Sequence, residues 1–187
     1  EYTPAILMKP VAVLMITTAH EPAGPCIQSL AASDLVEKVI LVSPRPCDQR
    51  GVVSIVAGEP AAGSAVQTAL EHAMQCPHVL VVSDPEHCSI PAADIQKGLE
   101  AGRSIGAGLW YADYRMELRS TSLLHPVCDY QPGSIRDDFD FGPAYFCDTA
   151  AIRRALETCG PLSESRWGGL YELRLKLSCV APVRKVE

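Results

Sequence analysis

Four successive apolar residues, Val79-Leu80-Val81-Val82, run without polar interruption and end abruptly in Ser83-Asp84-Pro85-Glu86. A run with no polar alternation belongs to a strand covered on both faces, as in the interior of a parallel sheet. Such a strand delivers its polar residues to the carboxyl edge, where ligands bind in open α/β sheets. There Asp84 and Glu86, one residue apart, can aim two oxygen ligands at one divalent cation, with His87 next in the chain as a third donor. A cation so held neutralises a diphosphate. The same carboxylates have a structural alternative as a cap on the following helix, because Pro91 and Ala92-Ala93-Asp94 read as a helix start.

The rest of the first half repeats the strand-and-helix alternation. A strand at Val11 to Thr17 is followed by the polar turn Thr18-Ala19-His20-Glu21-Pro22 and a helix around Ile27 to Ala32. Strands at Val39 to Ser43 and Val52 to Ala57 follow. A loop with Gly58, Pro60 and Gly63 then leads into a helix from Ser64 to about Gln75. With the Val79 strand and the helix after Pro91, this predicts a three-layer, doubly wound, mostly parallel α/β sheet.

The second half differs in texture. It reads as a strand from Ser104 to about Tyr114, then alternating Met116 and Leu118. An irregular segment with Pro126, Pro132 and Gly133 follows and lies across the sheet edge. A short strand at Ala144 to Cys147 precedes a helix capped by Asp148 or Thr149 and running to Thr158, and a last helix spans about Trp167 to Ser178. No internal repeat divides the chain, so a single domain over residues 1–187 is expected, with a nucleotide-binding half at about 11–102 and an acceptor-side half at about 103–187.

Composition excludes several functions. At 187 residues and 48% hydrophobic content the chain can build a substantial core. A net charge of -6 carries no basic footprint, which argues against nucleic acid as a partner. Eight cysteines occur without CxxC or Cys/His zinc spacing, so most are expected to be buried free thiols in a reducing cytoplasm. No signal peptide or apolar run long enough to span a bilayer is present in the sequence, and a homo-oligomer is compatible with it.

The order of parts resembles the family 2 glycosyltransferases, which have the nucleotide-diphospho-sugar transferase (GT-A) fold. VAVLMITTAHEP looks like the opening strand and turn of that family. The resemblance therefore implies that Thr17, Thr18, His20 and Glu21 hold the nucleotide. AAGSAVQTALEHA, with Gly63, is similar to its Gly-containing loop and Ala-rich helix, and VVSDPEHCSIP resembles its D-x-D strand. The resemblance makes Asp84 and Glu86 the site of a divalent metal, Mn or Mg, and of the diphosphate of a sugar-nucleotide donor. WGGLYELRLKLS looks like the terminal catalytic helix. Three places depart from the pattern: Ser43 and Pro44 stand where an Asp usually touches the nucleotide, the D-x-D is Asp84-Pro85-Glu86, which keeps two carboxylates but changes their reach, and Gly168-Gly169-Leu170 replaces the acidic pair that includes the base.

Asp129 to Gly142 (DYQPGSIRDDFDFG) offers replacement carboxylates and is similar to a run found in a bacterial branch of glycosyltransferase-like proteins. Aromatic faces stack on pyranose C–H surfaces while carboxylates accept hydroxyl protons. Asp138 is the first choice for the acceptor base, with Asp137, Asp140 and Glu172 as further candidates. The alternative is a solvated turn with Phe139 and Phe141 anchored in the core. The expected activity is transfer of a sugar from a nucleotide-diphosphate donor to a saccharide, lipid or protein acceptor. A non-catalytic sugar-nucleotide or partner-binding domain and a sugar-phosphate nucleotidyltransferase are the competing readings. The last is disfavoured because Thr18 to Gly24 contains no Lys or Arg.

Overall fold

The computed structural model describes residues 8–19, 24–118, 121–133, 136 and 138–187. Seven strands form one sheet: β1 (Val11–Ile16), β2 (Val36–Ser43), β3 (Val52–Val56), β4 (His78–Val82), β5 (Leu109–Ala112), β8 (Ala144–Asp148) and β9 (Val183–Val186), in the order β3-β2-β1-β4-β8-β5-β9. Every pairing is parallel except those of β8, which runs antiparallel to both neighbours, β4 and β5. Two further strands, β6 (Tyr114–Leu118) and β7 (Thr121–His125), pair only with each other as an antiparallel ribbon.

The apolar runs form strands because both faces of the sheet are covered. In β1, Ala12 and Leu14 face the layer of α2 (Gly63–Ala73), α4 (Thr149–Cys159) and α5 (Gly169–Val180), while Val11, Val13 and Met15 face α1 (Pro25–Ala31) and α3 (Ala92–Ile105). All of them are fully buried, and each such Val or Leu contributes about 1.5–3 kcal/mol relative to exposure. This is the expected three-layer, doubly wound arrangement.

Close approach of α3 to the sheet depends on two glycines. A Cβ at Gly98 would lie 2.3 Å from the Phe146 ring, and one at Gly102 2.3 Å from the Trp110 ring. Those rings stack with centroids 5.3 Å apart, and the Trp110 indole N–H donates to the Gly98 carbonyl at 2.8 Å.

The second half departs from the sequence reading in three places. Ser104 and Ile105 belong to α3, which ends at Gly106 in the left-handed region (φ 58°), so the strand begins only at Leu109. A glycine at that position terminates a helix without steric penalty. The irregular segment begins instead as the β6–β7 ribbon. The strand β9 was not expected; it is short and carries Arg184 and Lys185 at the sheet margin. The cysteines also differ from expectation: all eight are free, but only Cys26, Cys76 and Cys147 are buried. Among the described residues no helix is long and apolar enough to cross a membrane.

Candidate functional site

Strand direction sets which residues meet. The carboxyl ends of β1 and β4 lie side by side, and because β8 is antiparallel its amino end lies at the same edge, Val82 opposite Ala144. The Ser83 amide donates to the Pro143 carbonyl at 2.9 Å, so the loop after β4 is tied to the segment leading into β8. The D-P-E loop and residues 138–142 therefore lie next to the sheet at one edge.

At that edge the Thr17 hydroxyl donates to the Glu86 carboxylate and accepts from the Ala19 amide at 2.9 Å. Thr17 is buried while Thr18 is exposed. The Asp84 carboxylate accepts from the His87 imidazole Nδ1 at 2.9 Å, and Asp84, Glu86 and His87 offer ligand atoms all within 4.8 Å of one another. The hydrogen bond and charge of Asp84 raise the His87 pKa above its ordinary value. Two carboxylates and an imidazole at this spacing fit a divalent cation, and one Glu86 oxygen, Oε1, already receives the Thr17 hydroxyl. Among the described residues neither carboxylate is seen capping α3: its N-cap is Pro91, while Asp84 bonds to His87 and Glu86 to Thr17.

The described part of the acidic run, Arg136 and residues 138–142, is anchored and exposed at once. Phe141 is buried, with its ring 4.9 Å from Tyr111 and 4.6 Å from Phe139, and the Arg174 guanidinium lies 5.0 Å over its face. Asp138 pairs with Arg136 at 3.3 Å, its side chain 68% exposed. Asp140 accepts from the Gly142 amide at 2.7 Å and lies 3.2 Å from His125 Nε2, while the His125 ring packs 4.6 Å from Tyr114. The base of the ribbon is thus joined to the acidic run. Beyond it, Asp113 accepts from the Val127 amide and from Lys185, both at 2.8 Å, and Lys185 also donates to the Val127 carbonyl. The Lys185 bond and the Val127 amide bond hold the Asp113 carboxyl below its usual range.

Glu172 is committed elsewhere. Its carboxylate accepts from the Ser163 amide at 3.0 Å and the Ser163 hydroxyl at 2.6 Å, and Lys176 stands 3.2 Å away. Burial pushes its carboxyl up, but the Ser163 hydroxyl and amide and the Lys176 ammonium together pull it below its ordinary value. Gly63 is buried at the start of α2, where a Cβ would lie 2.0 Å from the Ser163 carbonyl; it serves packing between α2 and the loop before α5. Ser43 is fully buried and its hydroxyl donates to the Arg45 carbonyl at 2.7 Å. His20, Glu21 and Asp137 lie outside the described residues.

Sequence reasoning missed the Thr17–Glu86 link and the pairing of His125 with Asp140. The partners are far apart in the chain, and only the strand order and the ribbon register bring them together.

No family model matches the chain, and no curated protein does. Solved structures share its fold. S. aureus TarS 1-349 aligns with a TM-score of 0.62 at 14% identity, over 95% of this chain and 58% of that one. The same protein in complex with UDP-GlcNAc aligns with a TM-score of 0.57 at 14% identity, over 95% and 56%. The 2-C-methyl-D-erythritol 4-phosphate cytidylyltransferase of Francisella tularensis aligns with a TM-score of 0.56 at 10% identity, over 96% and 91%. At these identities the likeness is one of fold. It is the GT-A-like fold of nucleotide-diphospho-sugar transferases, and the chain spans a little over half of the TarS chains it matches.

Proposed function

We propose that this chain is a family 2-like glycosyltransferase domain that takes a sugar from a nucleotide-diphosphate donor. The observation that carries this reading is the cluster of Asp84, Glu86 and His87 at the carboxyl edge of β4, braced by Thr17 from the end of β1. Edges of this kind bind nucleotides in open α/β sheets. S. aureus TarS, of the same fold, has been crystallised with UDP and with UDP-GlcNAc, which supports a sugar nucleotide as ligand. Asp84, Glu86 and His87 would hold Mn²⁺ or Mg²⁺. When bound, such an ion supplies positive charge to the diphosphate leaving group.

Thr17 holds Glu86 in place, and the described part of the turn after β1, Thr18 and Ala19, forms one wall for the nucleotide. Asp138 takes the proton from the acceptor hydroxyl. Its side chain is 68% exposed beside Arg136, so an acceptor hydroxyl can reach it. Phe139, half-buried beside Tyr130, offers an apolar surface to a pyranose ring.

The commitment of Glu172 favours one second reading, a domain of the same fold that binds a sugar nucleotide without turning it over. Thermal-shift and calorimetric titration with UDP, GDP, CDP and their sugars, with and without Mn²⁺, tests binding. Release of the nucleoside diphosphate in the same samples tests turnover. Metal-dependent binding with turnover supports the transferase, binding without turnover supports the second reading, and no binding of any of them refutes both.

A further inference from the structure

Among the described residues β6 and β7 pair with each other and with no other strand. A two-stranded ribbon is marginal in water by itself and gains stability when further strands extend it. The foot of this one is rooted: a Cβ at Gly142 would lie 3.2 Å from the Tyr114 ring, and His125 bonds Asp140. Farther out the ribbon is exposed. Met116 and Leu123 stand directly opposite each other and are 40% and 49% exposed, and Leu124, which alternation puts on the other face, is 59% exposed. Apolar residues on a ribbon with an unpaired edge invite another strand.

The sequence of β6 selects that strand. Arg115 and Glu117 flank Met116 on one face, both are exposed, and among the described residues neither forms an ion pair. A strand that carries its own counter-charge two residues away is matched to a reversed copy of itself. We propose that this chain forms a two-fold dimer in which the two β6 strands pair antiparallel about Met116, joining both ribbons into one four-stranded sheet. In that register Arg115 faces Glu117 of the partner subunit, and by symmetry Glu117 faces Arg115 of the partner subunit, the reciprocal contact that a two-fold interface requires. On the opposite face the Met116 and Leu123 side chains of both copies form one apolar row. Centring the pair on Arg115 or on Glu117 instead sets like charges opposite each other, which is unfavourable, so the charge pattern fixes the register. Because His125 at the foot of each ribbon bonds Asp140, the pairing links the acidic runs of the two copies.

Sedimentation of the full chain over a range of concentrations should show a monomer–dimer equilibrium. Arg115→Glu and Glu117→Arg each convert both reciprocal pairs to like charges, and each should weaken the dimer by about tenfold or more. Combining the two reversals restores unlike charges and should restore the dimer. A second measurement reads the register directly. In a chain whose exposed Cys128, Cys159 and Cys179 are changed to Ser, Met116→Cys should give a disulfide-linked dimer on oxidation, because residues facing each other across paired strands lie within disulfide reach. Leu124→Cys in the same background should not, since the two β7 strands lie at opposite margins of the joined sheet. A chain that stays monomeric at every concentration, a dimer that survives both single reversals, or a double reversal that stays monomeric overturns the proposal. A monomer that floats with phosphatidylcholine vesicles assigns the apolar ribbon to a lipid surface and overturns it as well. No metal or nucleotide enters these measurements, so their outcome is separate from that of the proposed transferase activity.

Discussion

Replacing Glu172 by Gln separates a structural carboxylate from a catalytic one. Gln keeps the shape and can still accept from Ser163, but it removes the charge that three donors face. Hydrogen bonds to a charged group are worth about 1.5–3 kcal/mol and neutral ones about 1 kcal/mol, so the substitution should destabilise the fold by about 1–2 kcal/mol. Lys176 retains the carbonyls of Cys159, Gly160 and Pro161, which limits the loss. The pH dependence is a stricter test. A carboxyl whose folded pKa is depressed stabilises the fold above its unfolded pKa, and that stabilisation is lost as pH falls through the folded value. Urea denaturation followed by fluorescence of the buried Trp110 should show the full difference between wild type and Glu172→Gln at neutral pH. The difference should shrink as pH falls below the ordinary carboxyl range and disappear once pH has passed through the depressed folded value. A difference that does not change with pH refutes the charged clamp. Unchanged stability combined with abolished turnover would instead make Glu172 the base.

Asp84→Asn should abolish Mn²⁺-dependent nucleotide binding in calorimetry while leaving the unfolding midpoint within about 0.5 kcal/mol of wild type, because the side chain is 48% exposed. Asp138→Asn should lower turnover by about 10²-fold or more with donor affinity unchanged, as expected of a general base acting on the acceptor, and equal losses in both would reassign it to donor binding. Gly98→Ala should lower stability by about 1–3 kcal/mol in denaturant titration despite the better helix former, since its Cβ meets the Phe146 ring; a stabilised variant would show that the ring gives way.

The parallel half of the sheet was legible because burial on both faces writes itself as uninterrupted apolar runs, as in Val79 to Val82. So was the carboxylate pair at the end of that strand, since strand direction dictates which edge a following residue occupies. The second half was harder. Ser104 and Ile105 suit a strand by propensity, yet they extend α3 because Gly106 supplies the stop. β9 has four residues with two charges in its middle and carries no pattern of its own; only Leu109 to Ala112 beside it make it a strand. In the site, Asp138 and Asp140 look equivalent in sequence. They differ because the ribbon returns His125 to Asp140 while Asp138 stands beside Arg136.

The reversed strand β8 has a consequence for how the chain becomes structured. β4 receives β1 on one side early, but its other partner is residues 144–148, which emerge from the ribosome only after α3 and the β6–β7 ribbon. Until then a valine-rich edge is unpaired, the kind of edge that recruits strands from other molecules. Long-range pairing of this sort slows folding and lengthens the interval of exposure. Yield on expression should therefore respond to dilution, lower temperature and chaperones, and a fragment ending after α3 should aggregate.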